Sequence, residues 1–516
     1  MTTPTPPPPP TSTSTPDRPS AISATGPTAI ICGCGLAGAL MACYLADDGW
    51  RVRVYERRPD PRKAGYVGGR SINLALSVRG LTGLRGAGLE ETVLTRDAIR
   101  MPGRMMHAHD GTTNFQPYSS DPNDAINSVS RGGLNLTLIK AAAARPNVEL
   151  FFDAPCIDAD LVNARATFDM PGGKETVDAD LLIGSDGAFS AVRMAFLKYD
   201  RFDYSQSYLR HAYKELHIPE VRAARDMPNN ALDREAFAME PHALHIWPRG
   251  SAMMIALPNR DGSFTCTLFW PFEGTHSFES LEGPHAAGPW PRDIPPNTIR
   301  EFFDEHYRDA VPLMPTLEQD FARNPTSSLV TVRCYPWQRH GRACLLGDAA
   351  HAIVPFYGQG MNAAFEDCLV LSRCLKEHRD RHDALAAYED ARKPNADAIA
   401  DMAIENFVEM RDLAGRPDFQ YRKKIEQTIH RELGEKHADR VTPQYNLVSF
   451  TTVPYSMAQR RGREMSRILE AVAMHVPPKG VAVPGTPEWT RAVIEVAKPM
   501  LDTITPIPAN AGLTAH

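Results

Sequence analysis

Cysteine is scarce in this chain: nine in 516 residues, an odd number. Cys32 and Cys34 flank a single glycine, which is not the spacing of a redox Cys-x-x-Cys pair, and no Cys/His cluster has zinc-ligand spacing. The thiols therefore read as small buried hydrophobes of a reduced, cytoplasmic protein. Long apolar runs are also missing. None approaches the roughly 18 residues needed to cross a bilayer. The N-terminus lacks the basic start and apolar stretch of a secretory signal. Positive charge is not in excess. The 56 Lys and Arg against 62 Asp and Glu give a formal charge of −6. That argues against nucleic-acid binding through a generally basic surface, a local basic groove aside. No repeat at a period of about 20–50 residues is present.

What remains is an ordinary globular composition, 43% hydrophobic and 23% charged, long enough for about three domains. Residues 1–26 are Thr, Ser and Pro, with a proline run from Pro6 to Pro10. Such a segment buries too little to offset its ordering entropy and reads as a disordered tail, or else as a ligand for a Pro-binding domain. Residues 28–32 read as a buried strand, 36–48 as a helix closed by Gly49, and 51–56 as an alternating strand. That order predicts a parallel pair with a right-handed crossover. From 201 to 335, short strand-like runs separated by turn residues predict an antiparallel sheet. Residues 343–347 read as another buried strand and 361–377 as a helix. The chain from 380 is helical, with Ile399, Met402, Ala403, Asn406, Phe407 and Met410 on one face. After 476 the Pro-rich sequence predicts irregular structure.

Gly33, Gly35 and Gly38 form G-x-G-x-x-G between the first strand and its helix. The first glycine permits the turn, the second lets a pyrophosphate approach the backbone, and the third lets helix and strand pack closely. The helix start offers free N–H groups and a positive dipole end. Glu56 ends the second strand, where an acid accepts ribose hydroxyls and disfavours a 2′-phosphate. This predicts a dinucleotide site but leaves NAD and FAD open. Two later strands end in Asp186-Gly187 and Gly347-Asp348. Each alone reads as a strand turn with a capping acid. Their order after the glycine motif resembles the class A flavoprotein monooxygenases. That resemblance implies FAD, with Asp186 near the flavin and nicotinamide region and Asp348 on the ribityl chain.

A closer resemblance runs over roughly residues 28–455, to the kynurenine 3-monooxygenase family. It is carried by GRSINLAL (69–76), SVSR (128–131), RFDYSQ (201–206) and LHIWPR (244–249). MMIALPN (253–259), SFTCTLF (263–269) and LLGDAAHAIVPFYGQGMNAAFEDC (345–368) complete the set. The implied fold is α/β plus antiparallel β: a Rossmann-like FAD-binding domain, an inserted antiparallel-sheet substrate domain and a C-terminal helical region. The implied division is a tail (1–26), an FAD-binding part (27–200), a substrate sheet (201–335) and an FAD-binding return segment (336–380). A helical domain closing the pocket (381–475) and an irregular tail (476–516) complete it. The implied activity is hydroxylation of L-kynurenine to 3-hydroxy-L-kynurenine in tryptophan degradation. It would use tightly bound, non-covalent FAD, with NADPH and O2 as co-substrates, through a flavin C4a-hydroperoxide. The flavin carries the hard chemistry, so no nucleophile triad or metal is expected, and the ring amine makes a dedicated base unnecessary. The same chemistry on another aromatic carboxylate, or a flavin protein that senses kynurenine without hydroxylating it, are the alternatives.

In PFYGQGMN (355–362), Gly358 and Gly360 leave N–H groups free at a helix start, which would stabilise negative charge on the flavin N1/C2=O edge. The plainer reading is a connection to a packing helix. The resemblance puts Pro355, Phe356, Tyr357 and Gly358 at the reacting ring. It puts Gly360, Met361 and Asn362 at FAD, and Arg131 near its phosphates, unless Arg131 makes a surface ion pair. Arg104 lies among Met101, Met105 and Met106, where a charge needs a partner. A three-residue loop at 110–112 would set it directly opposite Tyr118. The family's substrate-carboxylate pair falls on these two residues. Asn406 by pattern ties its helix to backbone. By resemblance it lies near substrate, as does Tyr445, with Met410 closing the pocket. Leu244, Met253, Ile255, Leu257 and Phe269 form one sheet face, either plain core or the wall for the aromatic ring. Three features depart from the family: Tyr357 at a variable position, the Pro-rich tail, and no hydrophobic C-terminal anchor. The chain thus looks like a soluble, bacterial-type form with no membrane or nucleic-acid partner, either monomer or homodimer. No second glycine motif offers a site for NADPH, so it is expected to visit transiently.

Overall fold

The computed structural model describes residues 26–64, 73–119, 121–227, 230–282, 296–409, 416–478 and 483–513. Apart from Gly26, the expected disordered tail lies outside the described residues, and so does Met410. Strand Thr28–Cys32 is the centre of a six-stranded sheet. Its neighbours are Leu181–Gly184 on one side and Arg51–Tyr55 on the other, all parallel. Ala343–Leu345 and Val148–Phe151 extend the sheet in parallel, and Gln338–Arg339 closes one edge antiparallel. The apolar run TAIIC suits this place, because a parallel strand covered by helices is buried on both faces. Helix Leu36–Asp47 makes the expected crossover, with residues from Gly38 to Ala46 buried.

The second sheet has seven strands, in the order Ser327–Tyr335, Asp203–Ile218, Phe264–Pro271, Ala252–Pro258, Leu244–Arg249, Gly103–His107, Thr113–Pro117. Two features differ from expectation. The last two strands come from the segment expected in the FAD-binding part. Gly103–His107 also joins Leu244–Arg249 in parallel, so the sheet is mixed. The cause is non-local pairing across about 140 residues, which local periodicity does not report. Side chains alternate across the strands. Trp247, Met254, Ala256 and Leu268 enter a core with Phe303, Tyr307 and Phe321 from the covering helices Pro296–His306 and Leu317–Arg323. Leu244, Met253, Ile255, Leu257 and Phe269 lie on the opposite face.

The C-terminal part is helical: Arg381–Val408, Pro417–Val441, Gln444–Phe450 and Tyr455–His475. On the first of these, Ile399, Met402, Ala403 and Phe407 are buried as the pattern requires. The segment after 476, expected to be irregular, contains helix Pro487–Leu501. Thr486 accepts the Trp489 N–H as an N-cap and Pro487 occupies the first turn, so a proline read as a breaker is in fact a helix start. Trp489, Val493, Ala497 and Leu501 are buried, and the Trp489 indole donates to the Tyr421 hydroxyl at 2.9 Å. Among the described residues, no helix is long and apolar enough to cross a membrane, and no cluster of His, Cys, Asp or Glu is arranged to hold a metal.

Candidate active site

One cavity of about 2660 Å³ runs from the glycine turn to the Leu244–Phe269 face of the seven-stranded sheet. At its first end, Gly33 has φ +96° and its backbone crowds Ser185 and Asp186, so only glycine suits it. Gly38 does not line the cavity. A Cβ there would meet Gly33 O at 2.0 Å, which is the close helix–turn packing expected of the third glycine. A Cβ on Gly35 would meet nothing within 4 Å. That open face beside a helix start is where a phosphate can approach the backbone. Glu56 accepts from the Cys34 N–H at 2.8 Å and the Arg58 N–H at 3.0 Å, and it lines the cavity. Arg131 begins helix Arg131–Ala143 on the cavity wall, exposed and without an ion pair among the described residues.

The two acids differ. Asp186 lies at the start of helix Ala191–Phe196, whose N-cap is Ser190, and accepts from Ser190 Oγ and from the Ala191 N–H at 2.7 Å. Burial raises its pKa, and the Ser190 hydrogen bond opposes the rise. Asp348 is exposed to the cavity between buried Gly347 and Ala349, with no hydrogen bond or ion pair among the described residues. An uncommitted carboxylate on a cavity wall suits a hydroxylated chain. With the open side of Gly35 and the unpaired Arg131, these residues fit FAD.

Pro355–Tyr357 form a single tight turn, Gly358 has φ +66°, and helix Gly360–Glu377 starts at the wall. Pro355, Phe356, Tyr357, Gly358, Gly360 and Met361 all line the cavity. Asn362 does not. Its amide donates to Ala75 O and Gly358 O, both at 2.8 Å, and accepts from the Ser77 N–H at 2.9 Å. It holds the loop from behind.

At the far end, Arg104 pairs with Gln116, not Tyr118. The hairpin turn spans five residues, closed by the Ala108 N–H to Thr112 O, rather than the expected three. The register therefore shifts by two, which leaves every side chain on its expected face. Tyr118 becomes the diagonal neighbour. The Arg104 guanidinium carbon lies 5.0 Å from the Tyr118 ring centre and 4.7 Å from that of Tyr445. No carboxylate pairs with it among the described residues. The Tyr118 hydroxyl is buried and makes no well-directed hydrogen bond, although it lies close to Arg104 and Tyr445. Burial and Tyr445 raise its pKa against the pull of Arg104. Tyr445 also stacks on Tyr357 at 5.9 Å. Asn406 donates to Phe356 O at 2.7 Å, so it ties its helix to the loop while also lining the cavity. Phe356 stands between Phe269 at 5.0 Å and Phe407 at 4.5 Å. Leu244, Met253, Ile255, Leu257 and Phe269 complete this apolar wall.

The sequence reading missed Phe450, whose ring centre lies 6.0 Å from that of Tyr118. It also missed a buried ionic chain behind the loop: Arg79–Glu366 at 2.9 Å, Glu366–Arg392 at 3.1 Å, Arg392–Asp367 at 2.6 Å and Asp367–His351 at 2.6 Å. The signal was Glu366-Asp367 inside an apolar helical run, since buried charges require partners.

The FAD binding domain family matches residues 27–208 and 297–403. A 2-methyl-3-hydroxypyridine-5-carboxylic acid oxygenase structure superposes with a TM-score of 0.58 at 23% identity, covering 76% of this chain and 95% of that one. The Pseudomonas aeruginosa PqsL structure superposes with a TM-score of 0.57 at 19% identity, covering 75% and 97%. The chain thus carries an FAD-binding domain and shares its fold with FAD-dependent oxygenases. Kynurenine 3-monooxygenases of Dictyostelium discoideum and Myxococcus xanthus are each 44% identical over 452 residues. These alignments cover 85% and 87% of this chain and 91% of each relative. The chain belongs to the kynurenine 3-monooxygenase family.

Proposed function

We propose that this chain hydroxylates L-kynurenine at C3, ortho to the ring amine, consuming NADPH, a proton and O2 and releasing NADP+ and water. The observation that carries the reading is Arg104, a guanidinium without a carboxylate partner among the described residues, set against two stacked phenol rings in the cavity that also holds the glycine turn. A fork of parallel donors suits an amino-acid carboxylate. The uncommitted Tyr118 hydroxyl adds a donor, and Tyr445 stands beside Tyr118 against the guanidinium. The apolar wall from Leu244 to Phe269 receives the aniline ring. Bound FAD, reduced by NADPH, supplies the electrons that activate O2. Residues 355–358 and Asn406 wall off water between the two ends of the cavity. The positive end of helix Gly360–Glu377 favours negative charge beside it. In this division of labour, 27–200 and 336–380 hold FAD, 201–335 with hairpin 103–117 forms the substrate wall, and 381–475 closes the pocket. Nine free thiols suit a reducing cytoplasm.

The test is the product formed from kynurenine, NADPH and air. One added oxygen at C3, located by mass and NMR, is the expected result. Peroxide with unmodified kynurenine, or turnover only of another aromatic carboxylate, overturns the reading.

A further inference from the structure

Helix Gln444–Phe450 brings Tyr445 and Phe450 to the Arg104 end of the cavity. It has seven residues, too few to hold a helical state alone, and no side chain caps its start. Besides its packing on helix Tyr455–His475, it is gripped by a residue 369 positions earlier in the chain. Arg79, in helix Val78–Gly86, is fully buried. Its Nε donates to Val448 O at 2.8 Å, and one terminal nitrogen donates to Leu447 O at 3.1 Å and to Val453 O. The other pairs with Glu366 at 2.9 Å. The guanidinium lies 3.9 Å over the Tyr455 ring.

Leu447 and Val448 are among the last four residues of their helix, whose carbonyls lack intrahelical donors. A cation there completes the hydrogen bonding and faces the negative end of the helix dipole. Glu366 belongs to the helix that begins at Gly360, and the Tyr455 hydroxyl donates to Gln359 in the same loop at 2.9 Å. Arg79 therefore joins the loop that faces FAD to the segment that covers Arg104.

We propose that Arg79 is a positioning residue that docks helix Gln444–Phe450, so that Tyr445 stands against Arg104 before substrate arrives. The proposal rests on the reading of Arg104 as the kynurenine carboxylate site. Without the clamp the helix samples an undocked state, and apparent affinity falls with the docked fraction. Bound substrate restores the docked geometry, so the turnover of the saturated enzyme is spared.

The test uses the FAD-loaded full chain with Arg79→Gln, Arg79→Lys and the double variant Arg79→Gln/Glu366→Gln, which leaves neither buried charge alone. For Arg79→Gln and the double variant, the KM for kynurenine is expected to rise about tenfold or more, with kcat within about twofold. Amide exchange over 444–453 should accelerate while FAD stoichiometry holds. Arg79→Lys restores the pair with Glu366 and recovers part of the KM. A fall in kcat at unchanged KM, the mark of a smaller folded fraction, overturns the proposal. If the variants do not fold, amide exchange of the unvaried protein decides. Protection of 447–453 matching helix Gly360–Glu377 supports the clamp, and fraying of 447–453 overturns it. If the unvaried enzyme makes no hydroxykynurenine, the function reading fails while the exchange result still judges the clamp.

Discussion

Gly35→Ala and Gly38→Ala separate what the glycine turn does for FAD from what it does for the fold. A methyl on Gly38 would lie 2.0 Å from Gly33 O and 2.6 Å from Ser185 Oγ, so backbone must move. Overpacking of this kind costs about 1–3 kcal/mol. A methyl on Gly35 meets nothing within 4 Å, and the φ of −71° there suits alanine. At a helix N-cap the exchange costs about 1 kcal/mol or less. If that open face receives the FAD pyrophosphate, as the proposed function requires, the same methyl would stand in its way. Losing one hydrogen bond to a charged group costs about 1.5–3 kcal/mol, which is about 10–150-fold in Kd. The assay strips the flavin, melts the apoprotein, then titrates FAD by fluorescence quenching. Gly35→Ala should melt within about 3 °C of the unvaried apoprotein yet bind FAD at least about tenfold more weakly. Gly38→Ala should melt clearly lower before any FAD is added. A Gly35→Ala protein that binds FAD normally, or whose apoprotein melts as low as Gly38→Ala, would refute the assignment of that face to phosphate.

Arg104→Lys keeps the charge but loses the fork and the stacking on two rings. Steady-state kinetics should show a KM for kynurenine raised about tenfold, and Arg104→Met about a hundredfold or more. Tyr118→Phe removes a buried hydroxyl that lacks a well-directed partner, so the ligand-free protein should melt higher while kynurenine binds about tenfold more weakly; lower stability would contradict this. Burial pushes the His245 imidazole down to about 4, with its ring nitrogens facing Glu240 O and His107, whose other nitrogen meets Asp309. The unfolded chain takes up that proton near pH 6.5, so stability should fall by up to about 3 kcal/mol as pH drops from about 6.5 to about 4. Urea unfolding across that range should show the slope, and His245→Gln should flatten it.

The glycine turn, its strand and helix, and Glu56 are contiguous, so spacing alone located one end of the cavity. The period of two put Arg104 and Tyr118 on one face even though the loop was two residues longer than expected, because a shift of two preserves facing. Asn406 on an apolar helix face announced an amide in need of a partner, and the structure supplied a carbonyl, although the side chain is only half-buried at the cavity wall.

Other features depend on partners far away in the chain. Hairpin 103–117 joins the substrate sheet because Arg104 lies beside Leu244, a pairing that no local pattern encodes. Helix Pro487–Leu501 was obscured by its prolines, and its buried face makes sense only against distant residues such as Tyr421, Ile425 and Ile468. Arg79 meets Glu366 across 287 positions and Val448 across 369. Periodicity and turn chemistry report what a residue needs, such as burial, a partner or a cap. Which residue meets that need is decided when the chain closes on itself, since the free energy of a buried charge or an orphaned carbonyl depends on what is brought within reach.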